Sequence, residues 1–200
     1  MPYINEIVDI INQTLANGKL QDDERFVKNL HGVAEPLPRN INGTQDLIPS
    51  VVDLNGGTEF SGFEDQYSIV IYHRVLSTSI GQAPVMFGDG ANTGREEARM
   101  RMVVFADRLR IQTQPTQLSF LLNSALQQQL SKTHIQPLAG LYGASIVPGS
   151  TNYNGVQIYS DEYRLPTNTY PVQPHQIYIA LDYTIVTDYD VTCISDCPTC

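Results

Sequence analysis

The chain has 200 residues, 12 Lys+Arg against 21 Asp+Glu, and a formal charge of -9. That length is enough for one domain with an ordinary hydrophobic core, so neither disulfides nor a metal is required for folding. Only 16% of residues are charged, against about 25% in typical soluble domains, and the acidic balance excludes a general nucleic-acid binder that works by neutralising phosphates.

The opening residues carry Ile4, Ile7, Val8, Ile11 and Leu15 at three- and four-residue steps, which predicts an amphipathic helix. Asn17-Gly18 supplies its stop. The early acidic residues and the missing basic region argue against a secretory signal, which leaves the Asn-x-Thr sequons at Asn12 and Asn42 without a secretory context.

Residues 25–33 read as extended. Pro36 and Pro38 argue against regular pairing just after them, and 39–44 reads as a loop. Residues 48–53 form a short apolar strand before the Asn55-Gly56-Gly57 turn. The run QYSIVIYHRVLST, residues 66–78, is the strongest strand and is too apolar for a sheet edge. His73 sits within it and reads as a hydrogen-bonded core histidine rather than a base.

Residues 81–94, GQAPVMFGDGANTG, form a long glycine-rich loop. Its spacing fits neither the dinucleotide fingerprint nor a P-loop. It carries an apolar cluster beside glycines, which marks Met86, Phe87, Gly88, Asp89 and Gly90 as interface candidates. Residues 95–111 alternate Met100, Met102 and Val104 with Arg99, Arg101 and Val103, which favours a strand over a helix. The local arginines Arg99, Arg101 and Arg108 are a second set of interface candidates, because arginine favours fixed carboxylate pairing.

Residues 114–130 place Leu118, Leu121, Leu122, Ala125, Leu126 and Leu130 on one face of a second helix, with Thr113 as N-cap and Pro115 in the first turn. A loop over 132–144, a short strand at 145–147, a turn at 148–154, a strand at 156–159 and a loop over 160–175 follow. The closing run, residues 176–187, alternates Ile177, Ile179, Leu181, Tyr183 and Ile185 and predicts a strand with one apolar face.

This order lacks strand-helix-strand alternation. The predicted fold class is therefore α+β, an antiparallel or mixed β-sheet with two helices packed on it and long loops. Residues 1–190 form a single domain and 191–200 a cysteine-containing tail. The three cysteines, Cys193, Cys197 and Cys200, crowd into that tail as C-x3-C-x2-C. They lack the fourth ligand of a zinc site, and the expectation is no metal and no cofactor. No hydrolase elbow or His-based metal signature is present, so no catalytic residue is assigned and the chain is not expected to be an enzyme. No run of 18 apolar residues occurs, so no membrane association is expected.

The opening helix MPYINEIVDIINQTL, the strand QYSIVIYHRVL, MRMVVFADRLRI running into PTQLSFLLNSALQQQL, and the closing QIYIALDYTIVT together resemble the tail-terminator, tail-completion and neck-ring proteins of tailed bacteriophages. The resemblance spans nearly the whole chain and lies in the order of elements. It implies a virion protein that assembles with itself into a ring at the head-tail junction, commonly a hexamer or dodecamer. It also implies contact with neck, portal or tail proteins, and DNA passing through the lumen without sequence-specific binding. A second reading is a carbohydrate- or receptor-binding module, built on the tyrosines of 153–170: Tyr153, Tyr159, Tyr163 and Tyr170.

Overall fold

The computed structural model describes residues 3–16, 27–41, 44–52, 58–60, 69–82, 93–107, 114, 116–118, 120, 122, 141–163 and 176–190. Helix α1 (Ile4–Ala16) opens the chain, followed by strands β1 (Val27–Val33), β2 (Glu35–Ile41), β3 (Thr44–Val52) and β4 (Thr58–Phe60). The long strands β5 (Ile69–Gln82) and β6 (Thr93–Asp107) come next, then β7 (Leu141–Asn152), helix α2 (Gly155–Tyr163) and β8 (Gln176–Asp190). The result is mostly β, with a few short helical segments.

One sheet has five strands in the order β1-β5-β6-β8-β7, and a second has three in the order β2-β3-β4. Every pairing is antiparallel except β1 with β5. The predicted alternation in β6 and β8 is what the large sheet uses. Met100, Met102 and Val104 fall opposite Tyr183, Leu181 and Ile179. They share a buried cluster with Ile69 and Ile71 of β5, and with Ile4, Ile7, Val8 and Ile11 of α1. Leu118 and Leu122, both helical, join the same cluster. The other residues of the predicted second-helix stripe lie outside the described set.

The opposite face of the large sheet carries Val70, Tyr72, Val103, Phe105, Tyr178 and Ala180, covered by Ala34, Ile158 of α2 and Val51 of β3. Both faces of β5, β6 and β8 are thus apolar at one end. This explains the continuous rather than alternating hydrophobic runs in their sequences.

Several expectations need correction. Pro36 and Pro38 do not prevent pairing: both lie in β2, opposite Pro49 and Leu47 of β3. Two prolines spaced by two residues turn their ring nitrogens to one side, and β2 is an edge strand of its sheet, where proline is tolerated. Residues 39–41 and 44 accordingly belong to strands rather than to a loop. Residues 141–152 form one long strand in place of a loop, a three-residue strand and a turn. Pro148 is accommodated at a one-residue bulge, between the pairs Pro148–Tyr183 and Thr151–Leu181. Strand β5 is interior over 69–73, where β1 flanks it. Beyond that it is, among the described residues, the edge of the sheet, contrary to the expectation from its hydrophobicity.

The predicted strand at 156–159 is the helix α2 instead, and the predicted loop that followed begins inside it. Its start is fixed by Asn154, whose side-chain oxygen accepts a hydrogen bond from the Gln157 amide at 3.2 Å. The Asn154 carbonyl accepts from the Ile158 amide at 2.9 Å. This is an N-cap, which normally contributes about 1 kcal/mol. Gln157 also donates to Asp161 one turn on, at 2.6 Å. Ile158 and Glu162, four apart, are the residues turned inward.

Gly149 is required where β7 crosses β8. A Cβ there would lie 2.7 Å from the backbone oxygen of Asp182, an atom that cannot move without shifting β8. Gly149→Ala is expected to lower stability by roughly 1–3 kcal/mol, the usual cost of overpacking. Urea denaturation checks this, and an unchanged midpoint would show that the strand gives way freely.

Candidate interface and the ionic network beside it

Beyond the apolar end, the face of the large sheet that holds Val103 and Phe105 becomes polar. Odd-numbered residues of β6 share that face, so Arg95, Glu97, Arg99 and Arg101 are in line with Val103 and Phe105. Arg99 and Arg101 thus sit on one sheet face, as the sequence predicted. Arg99 is exposed. Arg101 is half-buried and makes a two-point contact with Asp182 of β8, Nε to Oδ1 at 2.7 Å and Nη2 to Oδ2 at 3.2 Å. Asp182 also accepts a 3.4 Å hydrogen bond from Ser150 of β7.

The network continues into α2. Glu162 is buried, and its Oε2 accepts hydrogen bonds from Arg74 of β5 at 2.7 Å and from the Tyr72 hydroxyl at 3.3 Å. Its Oε1 accepts no hydrogen bond and lies 3.9 Å from Arg101 Nη1. Asp161 is 4.0 Å from the same nitrogen. The Arg101 guanidinium is held above its ordinary pKa, chiefly by the hydrogen bond to Asp182. Desolvation opposes this, and the charges of Asp182, Glu162 and Asp161 reinforce it. Two arginines and three carboxylates therefore tie three strands of one sheet to the helix that covers it. The acidic pair 161–162 is one of several scattered acidic pairs in the sequence. Only the tertiary fold reveals its partners, because Arg74 is 88 residues away.

Further along the same face Arg95 makes a two-point contact with Asp188, at 2.8 and 3.0 Å. Both side chains are about one-third exposed, so water screens the pair.

On the other face, His73 is fully buried, as expected of a core histidine. Its Nε2 meets Asn12 Oδ1 at 3.1 Å, and its Nδ1 meets the Tyr183 hydroxyl at 2.8 Å. With an amide oxygen at Nε2, that nitrogen carries the proton and the Tyr183 hydroxyl donates to Nδ1. Burial lowers the His73 pKa to about 3 and raises that of Tyr183, so both groups are neutral. Asn12, the first sequon asparagine, is buried in this contact and is not placed to be glycosylated in the folded chain.

Of the predicted interface residues, Met86, Phe87, Gly88, Asp89, Gly90 and Arg108 lie outside the described residues, as do Cys193, Cys197 and Cys200. The strands that carry the first five are described on both sides. Residues 76–81 of β5 are all exposed, with Leu76 39% and Ile80 76% accessible. Among the described residues, β5 beyond β1 is thus the outer strand of a four-stranded sheet, since β6 stays paired with β8 over its whole length and β8 with β7. Tyr153 is exposed just before α2. The side chains of Tyr159, Tyr163 and Tyr170 lie outside the described set. Among the described residues no group of three or more His, Cys, Asp or Glu is arranged to hold a metal. No helix there is long and apolar enough to cross a membrane.

No protein-family model matches the chain, and no curated protein matches it.

Proposed function

We propose that this chain is a structural subunit of the neck or tail of a tailed bacteriophage, forming a ring with copies of itself around the DNA channel at the head-tail junction. The observation that carries the reading is the uncharged edge of β5 over residues 76–82. Past β1 this strand forms the margin of the sheet, with Leu76 and Ile80 exposed and no charged side chain from 76 to 82. An uncharged, partly apolar edge strand on an acidic chain is the kind of surface that neighbours cover. The low charge content of the whole chain points the same way. In this reading α1 and the helical residues 116–118, 120 and 122 belong to the two-helix layer of an α+β subunit. Neck, portal or tail proteins are the further partners, and the protein is carried in the virion without catalytic residues or cofactor.

The charge of -9 also supports a channel role. A carboxylate-rich lumen repels phosphate, so DNA slides through without adhering. Light scattering and electron microscopy of the purified protein, with mass spectrometry of purified virions, test the reading. A ring-sized particle or incorporation into virions is expected. Duplex DNA should not bind measurably at physiological salt. A monomer absent from virions, or one that binds duplex DNA tightly, would overturn it.

A further inference from the structure

The five-stranded sheet has two open edges, and they lie at the same height. Ladder pairs run across a sheet perpendicular to its strands, so residues linked through successive pairs share a level. Ser77 pairs with Arg99, Arg99 with Thr184, and Thr184 with Val147. In the same way Ser79 reaches Ser145 through Glu97 and Val186, and Gly81 reaches Gly143 through Arg95 and Asp188. Residues 77–81 on one side of the sheet are therefore level with residues 143–147 on the other.

Among the described residues, both edges are open over this span and obstructed beside it. On the first side β1 covers β5 at 69–73, and a one-residue bulge at Leu76 separates the covered part from 77–81. On the other side Pro148, level with Val75, opens a bulge that interrupts β7, and a second bulge at Tyr142 closes the upper end. Five level residues face each other across the sheet from the two edges, Ser77-Thr78-Ser79-Ile80-Gly81 and Gly143-Ala144-Ser145-Ile146-Val147. Neither segment contains a charge, whereas at the same levels the interior strands carry Arg95, Glu96, Glu97, Arg99 and Asp188. Edge strands are ordinarily guarded by charged side chains. Here the unguarded stretches are the two that face opposite ways at one height.

We infer that residues 77–81 of β5 in one copy pair antiparallel with residues 143–147 of β7 in the next, so that the sheet continues from subunit to subunit around a ring. The inference rests on the assembly-subunit reading and assigns its contact. Strand direction agrees. β5 and β7 run oppositely within one chain, because three antiparallel steps separate them. A rotation about an axis along the strands preserves those directions, so the two edges meet antiparallel. Level edges on opposite sides make a heterologous contact that closes by rotation without axial rise. Side chains match as well. Thr78 and Ile80 lie on the face of Ala98 and Glu96, and Ala144 and Ile146 lie on that same face through Thr187 and Ile185. Ala144 and Ile146 already pack against the main core. Ile80, 76% exposed in one copy, would come to lie beside them and extend that apolar layer across the boundary.

The test combines assembly with mapping in the full chain. Light scattering compares the parent with Ile80→Lys and Val147→Lys, both at exposed positions where melting temperature should be unchanged. Each substitution is expected to weaken assembly at least tenfold and shift the mass towards the 22.3 kDa protomer. A photo-crosslinking amino acid at position 80 should join a second copy within residues 141–149, as read by peptide mass spectrometry. A ring that persists in both variants, with crosslinks mapping elsewhere on the second copy, overturns the edge pairing and leaves the ring-subunit reading standing. A parent that stays monomeric and is absent from virions overturns both. Crosslinking at position 80 to a different virion protein also overturns the pairing with a second copy.

Discussion

Glu162→Met is expected to lower the unfolding free energy by about 2–4 kcal/mol, near the range for breaking a buried ion pair from one side. The carboxylate is 1% exposed, while its partner Arg74 keeps 17% exposure, which places the expectation towards the lower part of that range. The substitution keeps length, helix propensity and packing volume, so the loss measures the charge rather than a cavity. Arg74 would lose the carboxylate at 2.7 Å and Tyr72 its acceptor at 3.3 Å. For a chain of this size the drop corresponds to roughly 5–15 °C in melting temperature. The companion variant Arg74→Met/Glu162→Met removes both charges. It should be less destabilised than the sum of its two single variants by about 1–3 kcal/mol, because no unpaired charge is left behind. Additive losses in that cycle would mean that water solvates Arg74 well enough to make the pair dispensable. Arg101 offers a weaker test, since Asp182 holds it independently.

How much of this could be read in the residues depends on whether the signal is local. β6 and β8 were legible because Met100, Met102, Val104 and Ile177 to Ile185 keep a strict period of two on the face that packs against α1. His73 was legible as a core group, because a lone polar residue in a β-branched run has no other way to be satisfied. Helix α2 was not. Val156, Ile158 and Tyr159 favour a strand by composition. What overrides them is the Asn154 cap and the inward pair Ile158 and Glu162, whose polar partners sit on β5 and β6. β2 was missed because proline spacing matters only once the open side of an edge strand is known.

The candidate interface shows the same division. The sequence singled out the region around 81–94 and the arginines of β6, and the fold places Arg99 exposed and Arg101 inside a network. The level of two open edges lies in no local pattern. It follows from three ladder registers and three bulges, each involving residues far apart in the chain. Uncharged stretches such as STSIG and GASIV look like loop texture in one dimension. They become notable only when they are found at the margins of a sheet whose middle is charged.

Acidification from pH 7 to pH 5 is expected to remove about 2 kcal/mol of stability through His73 alone. Its pKa falls from 6.5 in the unfolded chain to about 3 in the folded one, because burial penalises the imidazolium. Between those values the unfolded chain binds a proton that the folded chain refuses, so stability rises with pH across that window. The contribution is intact above about pH 6.5 and declines steadily below it. It levels off near pH 3, after a total of roughly 5 kcal/mol at 1.36 kcal/mol per unit. Carboxylates and the other three histidines also titrate over this range, so the His73 share is obtained by difference. His73→Gln cannot titrate and still offers hydrogen bonds to Asn12 and Tyr183. Its unfolding free energy is expected to be lower than the parent's at pH 8 and to converge towards it on acidification, with the gap narrowing by about 2 kcal/mol between pH 7 and pH 5. Urea titrations at half-unit pH steps provide the measurement. Parallel curves for parent and variant would show that His73 takes up its proton without unfolding. That result would require the Asn12–His73–Tyr183 contact to open to water within the native state.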